Sequence, residues 1–470
     1  MPGTPFTLMR KKIRSWQPEL KRQAGPLYLA IADRLAADLR SGRILPGQQL
    51  PTQRALADQL GIDFTTVSRG YAEARRRGLI DATVGRGTFV RAPLQGAADR
   101  SPVDMSMNLP PQPADTDLAD LVRDGMAAVT ARSDFLSLMT YRDSAGALED
   151  REAAARWLQG RLGDVPVDRL LIAGGTQAAL TAILTSYAKA GDRILTEDLT
   201  YPGLRAAAEH LGLWLEGIAM DEEGMLPSAL EAACVAARAR LLYCVPTLHN
   251  PTTATMSEQR RLEIIAIARR HNLAIIEDDA YGPLVRKAPP AIAALAPDIT
   301  IYLGGLAKVL NPALRVTYMV VPDARIADRL TSALRATSLM PPPLMLALAT
   351  HWITSGIAGR LLIALRQEAI ARQRLASARL PRNDFRTAPE AYHIWLKLPP
   401  TWPRASFVAY LKRQGVAVVP SDAFAVTDPP PEAVRLCIGA AADRASLDLA
   451  LTTVVATLNE PTGRPIPAVV

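Results

Sequence analysis

The sequence predicts a multidomain α/β protein: an N-terminal winged helix-turn-helix, a large domain on a mixed, mostly parallel sheet, and a small C-terminal α+β domain. Three observations lead there. The chain has 470 residues, too many for one ordinary core. Residues 25–92 read as three short helices and a hairpin. From about residue 117 to 360, helical patterns alternate with short apolar runs, which points to a parallel-dominated sheet.

Residues 1–24 are basic and lack periodicity, so they read as an arm. In the next helix, Leu27, Ile31, Leu35 and Leu39 recur every four residues and form one apolar stripe, with Ser41-Gly42 as the expected stop. Thr52 can cap a second helix that ends at Leu60, before Gly61. Asp63 can cap a third, from Phe64 to Arg77, stopped by Gly78. Leu79-Ile80 and Thr88-Phe89-Val90 flank Gly85-Arg86-Gly87 and read as a tight hairpin. Together these make a winged helix-turn-helix. The stretches Leu50-Pro51-Thr52-Gln53-Arg54-Ala55-Leu56-Ala57, Gly61-Ile62-Asp63, Thr65-Thr66-Val67 and Gly85-Arg86-Gly87-Thr88-Phe89-Val90 resemble the GntR family. That resemblance implies double-stranded operator DNA as a partner. Thr65, Thr66 and Arg69 would enter the major groove, Arg54 would contact phosphate, and Arg86 and Gly87 would form the wing tip. Phe64 stands where the family often has arginine, so the operator cannot be copied from relatives.

Charge is placed accordingly. The chain carries +8; residues 1–92 hold 16 basic and 7 acidic side chains, and the remainder 38 and 39. A basic module on a neutral body suits a polyanion. Arg75-Arg76-Arg77 reads equally as a solvated helix end that favours the helix dipole. Cys234, Cys244 and Cys437 suggest neither a disulfide framework nor a zinc site, and fit a reducing cytoplasm. No run of about 18 apolar residues and no signal-peptide pattern is present, so neither a membrane nor an export role is expected.

Residues 93–115 form a linker rich in Pro, Ala, Asp and Ser that settles on the next domain near Asn108-Leu109-Pro110. The large domain spans 116–365, with strands expected at 170–173, 193–195, 241–245, 274–276, 299–303 and 317–321. The small domain spans 366–460, with strands at 392–398, 416–419 and 434–438 and a helix near 406–414; 461–470 is a tail.

The large domain carries a constellation suited to chemistry. Ile276-Glu277-Asp278-Asp279-Ala280-Tyr281 closes a strand with acids at its C-terminal end, where open α/β sheets bind ligands. Lys308 follows another strand and a Gly-Gly turn, so its amine can lose water and its pKa can fall. Arg315, seven residues on, can reach a phosphate. Gly174-Gly175-Thr176-Gln177 lies between a strand and a helix, whose N-terminus offers amides to a phosphate. A lysine, a carboxylate and a phosphate cradle are what pyridoxal 5′-phosphate (PLP) asks of a protein.

From about residue 105 to 460 these segments resemble fold-type I aminotransferases, especially the kynurenine and 2-aminoadipate branch. The resemblance implies that Lys308 is the Schiff-base lysine and Asp278 the pyridinium partner. It places Gly175, Thr176, Gln177 and Arg315 at the phosphate, Tyr201 on the ring face, and Asn250 and Tyr281 at the ring oxygen. Tyr141 would reach the phosphate of the other subunit of a homodimer, and Arg435 would grip a ligand carboxylate. The family usually has hydroxyl residues at the positions of Ala307 and Gly305, and glycine at that of Thr253; weaker PLP binding is the expectation.

A GntR winged helix before an aminotransferase-like domain is the layout of MocR-type regulators. This resemblance implies a transcription factor that senses PLP, an amino acid or an amine through the cofactor, by a closure that shifts DNA affinity. A working aminotransferase with an attached DNA-binding domain is the competing reading.

Overall fold

The structure, a computed structural model, describes residues 16–18, 26–40, 43–44, 48–76, 79–83, 87–90, 103–113, 115–381 and 384–460. The chain divides into two compact units, Met1–Arg100 and Ser101–Val470.

In the first unit, α1 (Leu27–Arg40), α2 (Gln53–Leu60) and α3 (Phe64–Arg76) precede a hairpin of β1 (Ile80–Thr83) and β2 (Gly87–Val90). The strands pair antiparallel, Ile80 opposite Val90. Ile31 and Leu35 of α1, Leu56 of α2, Val67 and Tyr71 of α3, and Ile80 and Val90 of the hairpin share one buried core. The ends of α2 follow from its flanking residues. Thr52 Oγ1 accepts from Ala55 N at 3.2 Å, and Gly61 takes the left-handed conformation at φ 60°. Asp63 Oδ1 accepts from Thr65 N at 2.7 Å at the start of α3. Trp16, within the expected arm, is buried in this core, and its indole N–H donates to Asp38 Oδ2 at 3.0 Å. A lone aromatic in a basic stretch has no periodicity to reveal it. The expected stops at Ser41-Gly42 and Gly78, together with Arg77, Arg86, residues 93–102 of the linker and the tail, lie outside the described residues.

The second unit opens with β3 (Val103–Asp104), then α4 (Leu118–Thr130) and α5 (Leu148–Leu162). Its central sheet comprises β4 (Leu170–Ala173), which leads into α6 (Thr176–Tyr187), then β5 (Arg193–Glu197), β6 (Trp214–Ile218), β7 (Leu241–Cys244), β8 (Ala274–Asp278), β9 (Thr300–Gly305) and β10 (Thr317–Val320). The order is β4-β10-β9-β8-β7-β5-β6. From β9 to β6 all neighbours are parallel, while β10 runs antiparallel to both β9 and β4. The expected mixed, mostly parallel sheet is therefore present, with β6 added at the edge. That strand begins at an exposed Trp214 and is only half-buried, so it lacks the continuous apolar run of its neighbours.

The C-terminal part carries β11 (Phe385–Arg386), β12 (Ile394–Lys397), β13 (Val416–Ala417), β14 (Val419–Pro420) and β15 (Ala433–Leu436). They form an antiparallel sheet β11-β12-β15-β14, while β13 pairs in parallel with β3. The helix Ile357–Arg379 runs without a break through residues 365 and 366, where the sequence divides large from small domain. At one edge of the central sheet, the C-terminal ends of β4, β8 and β9 meet the N-terminal end of β10, with Thr317 paired to both Ala173 and Gly305.

Candidate functional site

This edge gathers the chemistry. β8 ends in Glu277 and Asp278, Asp279 follows it, and the three acids go to different partners. Glu277 accepts from Ile292 N and Ala293 N at 2.9 and 2.8 Å. Asp279 is held by Arg161 Nε at 2.8 Å and by the Tyr302 hydroxyl at 3.0 Å. Asp278 lies within electrostatic reach of Lys308; burial, the largest cause, pushes its carboxyl up to about 6. The Tyr243 hydroxyl donates to Asp278 Oδ2 at 2.8 Å, while Oδ1 is buried without a hydrogen-bond partner among the described residues. Such an oxygen costs free energy until a donor meets it.

Lys308 ends the short turn that follows β9. Burial lowers its pKa to about 8; nearby Arg435 adds to the lowering, while Cys437 and Asp278 oppose it. Its ammonium donates to the main-chain carbonyl of Asn108. Asn108 Nδ2 donates to the Tyr281 hydroxyl at 2.8 Å, which leaves the Tyr281 proton free to donate elsewhere. Arg435, on β15, donates through Nη1 to Asn250 Oδ1 and through Nη2 to the Ser106 carbonyl, both at 2.7 Å. With its Oδ1 so engaged, Asn250 has its amide N–H groups to offer.

Between β4 and α6, Gly175 sits at φ 100°, and a Cβ there would lie 3.2 Å from the Arg315 guanidinium carbon. The glycine thus lets the guanidinium approach the N-terminus of α6, whose first amides lack intrahelical acceptors. Arg315 is itself held at φ 50°, a strained conformation for a non-glycine residue. Thr176 Oγ1 lies 3.1 Å from Thr317 Oγ1. Gln177, expected at the phosphate, donates its side-chain amide to Gly203 O at 2.8 Å. That bond ties α6 to the turn of Tyr201, whose ring lies so close to Gly203 that a Cβ would come within 2.3 Å. Tyr141 stands apart from this cluster, 84% exposed. The sequence reading missed Tyr243, Ser106 and Thr317; only Asn108 had a signal, as the place where the linker settles.

On α3 of the first unit, Val67, Gly70, Tyr71 and Ala74 form the buried stripe. Thr65 and Arg69 are exposed on another face, with Thr66 half-buried beside them. Two of these already have partners: the Thr65 hydroxyl donates to Asp63, and the Arg69 guanidinium stands 4.5 Å above the Tyr28 ring. Arg54 is exposed on α2, and Gly87 has φ 108° with the Gln49 amide packed against it.

Residues 27–90 match the model of the bacterial regulatory proteins of the gntR family, and residues 101–454 match that of aminotransferase class I and II. The HTH-type transcriptional regulator YdeF of Bacillus subtilis is 32% identical over 432 residues, covering 90% of this chain and 92% of the relative. The chain belongs to the MocR-type GntR regulators. The probable rhizopine catabolism regulatory protein MocR of Rhizobium meliloti is 24% identical over 388 residues, covering 76% and 78%. A kynurenine aminotransferase of Pyrococcus horikoshii shares the fold at a TM-score of 0.70, with 24% identity and coverage of 76% of this chain and 91% of that one. As a MocR-type GntR regulator, the chain carries a DNA-binding winged helix and an aminotransferase-type domain whose cofactor is PLP. The pocket fits that cofactor. The partnerless Asp278 Oδ1 suits a protonated pyridine nitrogen, and the Gly175–Arg315 approach suits a phosphate.

Proposed function

We propose that this regulator holds PLP on Lys308 and senses an amino acid or amine through it, coupling the pocket to operator binding. Two cations of the pocket, Lys308 and Arg435, are hydrogen-bonded to the main-chain carbonyls of residues 108 and 106 respectively, and this observation carries the reading. A ligand carboxylate at Arg435, or a bond at Lys308, displaces those acceptors. Residues 106 and 108 lie on the stretch of chain that follows the winged helix, so their release is a local event with a route to the DNA-binding unit.

Bound PLP supplies an aldehyde that condenses reversibly with primary amines. Around it, Asp278 accepts at the pyridine nitrogen, Asn250 and Tyr281 donate at the ring oxygen, and Tyr201 covers the ring. Gly175, Thr176, the main-chain amide of Gln177 and Arg315 hold the phosphate. Arg435 selects a ligand with a carboxylate. In the first unit, Thr65, Thr66 and Arg69 read the major groove, Arg54 anchors phosphate, and Arg86 and Gly87 form the wing tip. Tyr141 completes the pocket of a second subunit. The exposed Leu136 and Met139 beside it in sequence supply apolar surface for that homodimer. The protein works in the cytoplasm, where its DNA is.

The test is a visible spectrum before and after borohydride. The wild type should show a band that reduction abolishes, and Lys308→Ala should lack it; DNA affinity should then change on adding the amine that shifts the band. A colourless wild type that PLP cannot reconstitute would sink the proposal. The aminotransferase reading is favoured by Lys308, Asp278 and Arg435 sharing one pocket. Sustained turnover of an amino donor with a keto acid, with no effect of either on DNA binding, would establish it instead.

A further inference from the structure

Gly305, at the end of β9, has no side chain, and two hydroxyls from other elements converge over it. A Cβ on Gly305 would lie 2.9 Å from Thr176 Oγ1 and 3.2 Å from Thr317 Oγ1. Thr176 opens α6 and Thr317 opens β10. Thr317 is buried, and pairing with both Ala173 and Gly305 sets it between the strand that leads to the Gly175 loop and the strand that leads to Lys308. Its hydroxyl has one hydrogen-bond partner among the described residues, Thr176 Oγ1 at 3.1 Å.

Two hydroxyls carry two protons. One serves the bond between them, and the other has no acceptor among the described residues. A buried strand normally places an apolar side chain at such a position. A hydroxyl there is costly unless it is hydrogen-bonded, and the Thr176 hydroxyl supplies that bond while one proton of the pair stays available. Arg315, two residues before Thr317, brings its guanidinium to the same loop at Gly175. The pair therefore offers one O–H to an anion that also meets Arg315 and the N-terminus of α6.

We propose that Thr317 is a ligand of the cofactor phosphate. It acts from β10 through the Thr176–Thr317 hydroxyl pair and takes the space that glycine leaves open at residue 305. The assignment rests on the PLP reading of the pocket. The absence of hydroxyl side chains at 305 and 307 then does not leave the phosphate short of donors on this side, because β10 supplies one across the strand pair.

The full-length protein is titrated with PLP and, separately, with pyridoxal, which lacks the phosphate; binding is read from the visible band and its loss on borohydride. Thr317→Val keeps the shape and removes the hydroxyl. Its affinity for PLP should fall about ten- to a hundredfold, as expected for a hydrogen bond to a charged group. Its affinity for pyridoxal should stay within a factor of about two, and Thr317→Ser should restore PLP binding. Wild-type PLP affinity in Thr317→Val, or an equal loss for both compounds, would overturn the assignment while leaving the PLP reading in place. A wild type that binds neither compound would overturn both.

Discussion

At the scale of single residues, the pocket is defined by what burial does to two charges. Lys308 has a pKa of about 8, so at pH 7 roughly a tenth of it is neutral; an ordinary lysine would be neutral to only a few parts in ten thousand. An amine must be neutral to attack an aldehyde. The rate at which added PLP is captured should therefore rise with pH and level off above about pH 8. Stopped-flow absorbance between pH 6 and 9.5 checks this. A rate still climbing tenfold per pH unit at the top of that range would show that burial does not lower the lysine. Asp278 is the complementary case. Its Oδ2 is satisfied by Tyr243, and its Oδ1 awaits a donor. Asp278→Asn keeps the shape but loses the charge that pairs with a pyridinium. PLP affinity should fall about ten- to a hundredfold while the thermal unfolding midpoint changes little or rises, since a buried charge has been removed.

At the scale of elements, stability and legibility go together. The cap residues of α2 were readable because caps are local: Thr52 and Gly61 act on amides and carbonyls only three or four residues away. Thr52→Ala should cost about 1 kcal/mol of the first unit's stability. Gly61→Ala, forced to φ 60°, should cost a similar amount. Urea unfolding of residues 1–100, in which Trp16 is the one tryptophan and reports this core, measures both. The central strands were legible for a related reason, since β4, β7, β8 and β9 are apolar runs buried on both faces. The edge strand β6 and the buried Trp16 were not, because neither repeats with a period. The family pattern located Lys308, Asp278, Arg315 and Arg435, which the fold gathers at the ends of β8, β9 and β15 and the start of β10. It could not reveal the positions that matter only across strand pairs. Thr317 earns its place from Gly305 opposite it, and Ser106 from Arg435, which is 329 residues away.

At the scale of the whole molecule, the question is how a ligand in one unit is felt by the other. Residues 103–108 enter the second unit as a strap. Val103 pairs with Val416, Met105 N donates to Ala417 O at 2.9 Å, and the carbonyls of Ser106 and Asn108 hold Arg435 and Lys308. The strap is thus fastened by backbone pairing at one end and by Arg435 and Lys308 at the other. On the proposed reading, an effector carboxylate that takes Arg435 loosens only the second fastening, and the backbone pairing of the first stays in place. If that equilibrium sets DNA affinity, coupling is reciprocal: an effector that changes DNA binding by a factor of roughly 5 to 150 must have its own affinity changed by DNA by the same factor. Fluorescence anisotropy with DNA selected from a random pool gives one factor, and spectral titration of the PLP band with and without that DNA gives the other. Arg435→Met should abolish the coupling for amino acids and leave the response to amines without a carboxylate, because only the former use the guanidinium. A factor of one in both titrations would mean that the strap does not couple the two sites. A factor for amino acids that survives Arg435→Met would show that the Arg435–Ser106 bond does not carry the coupling.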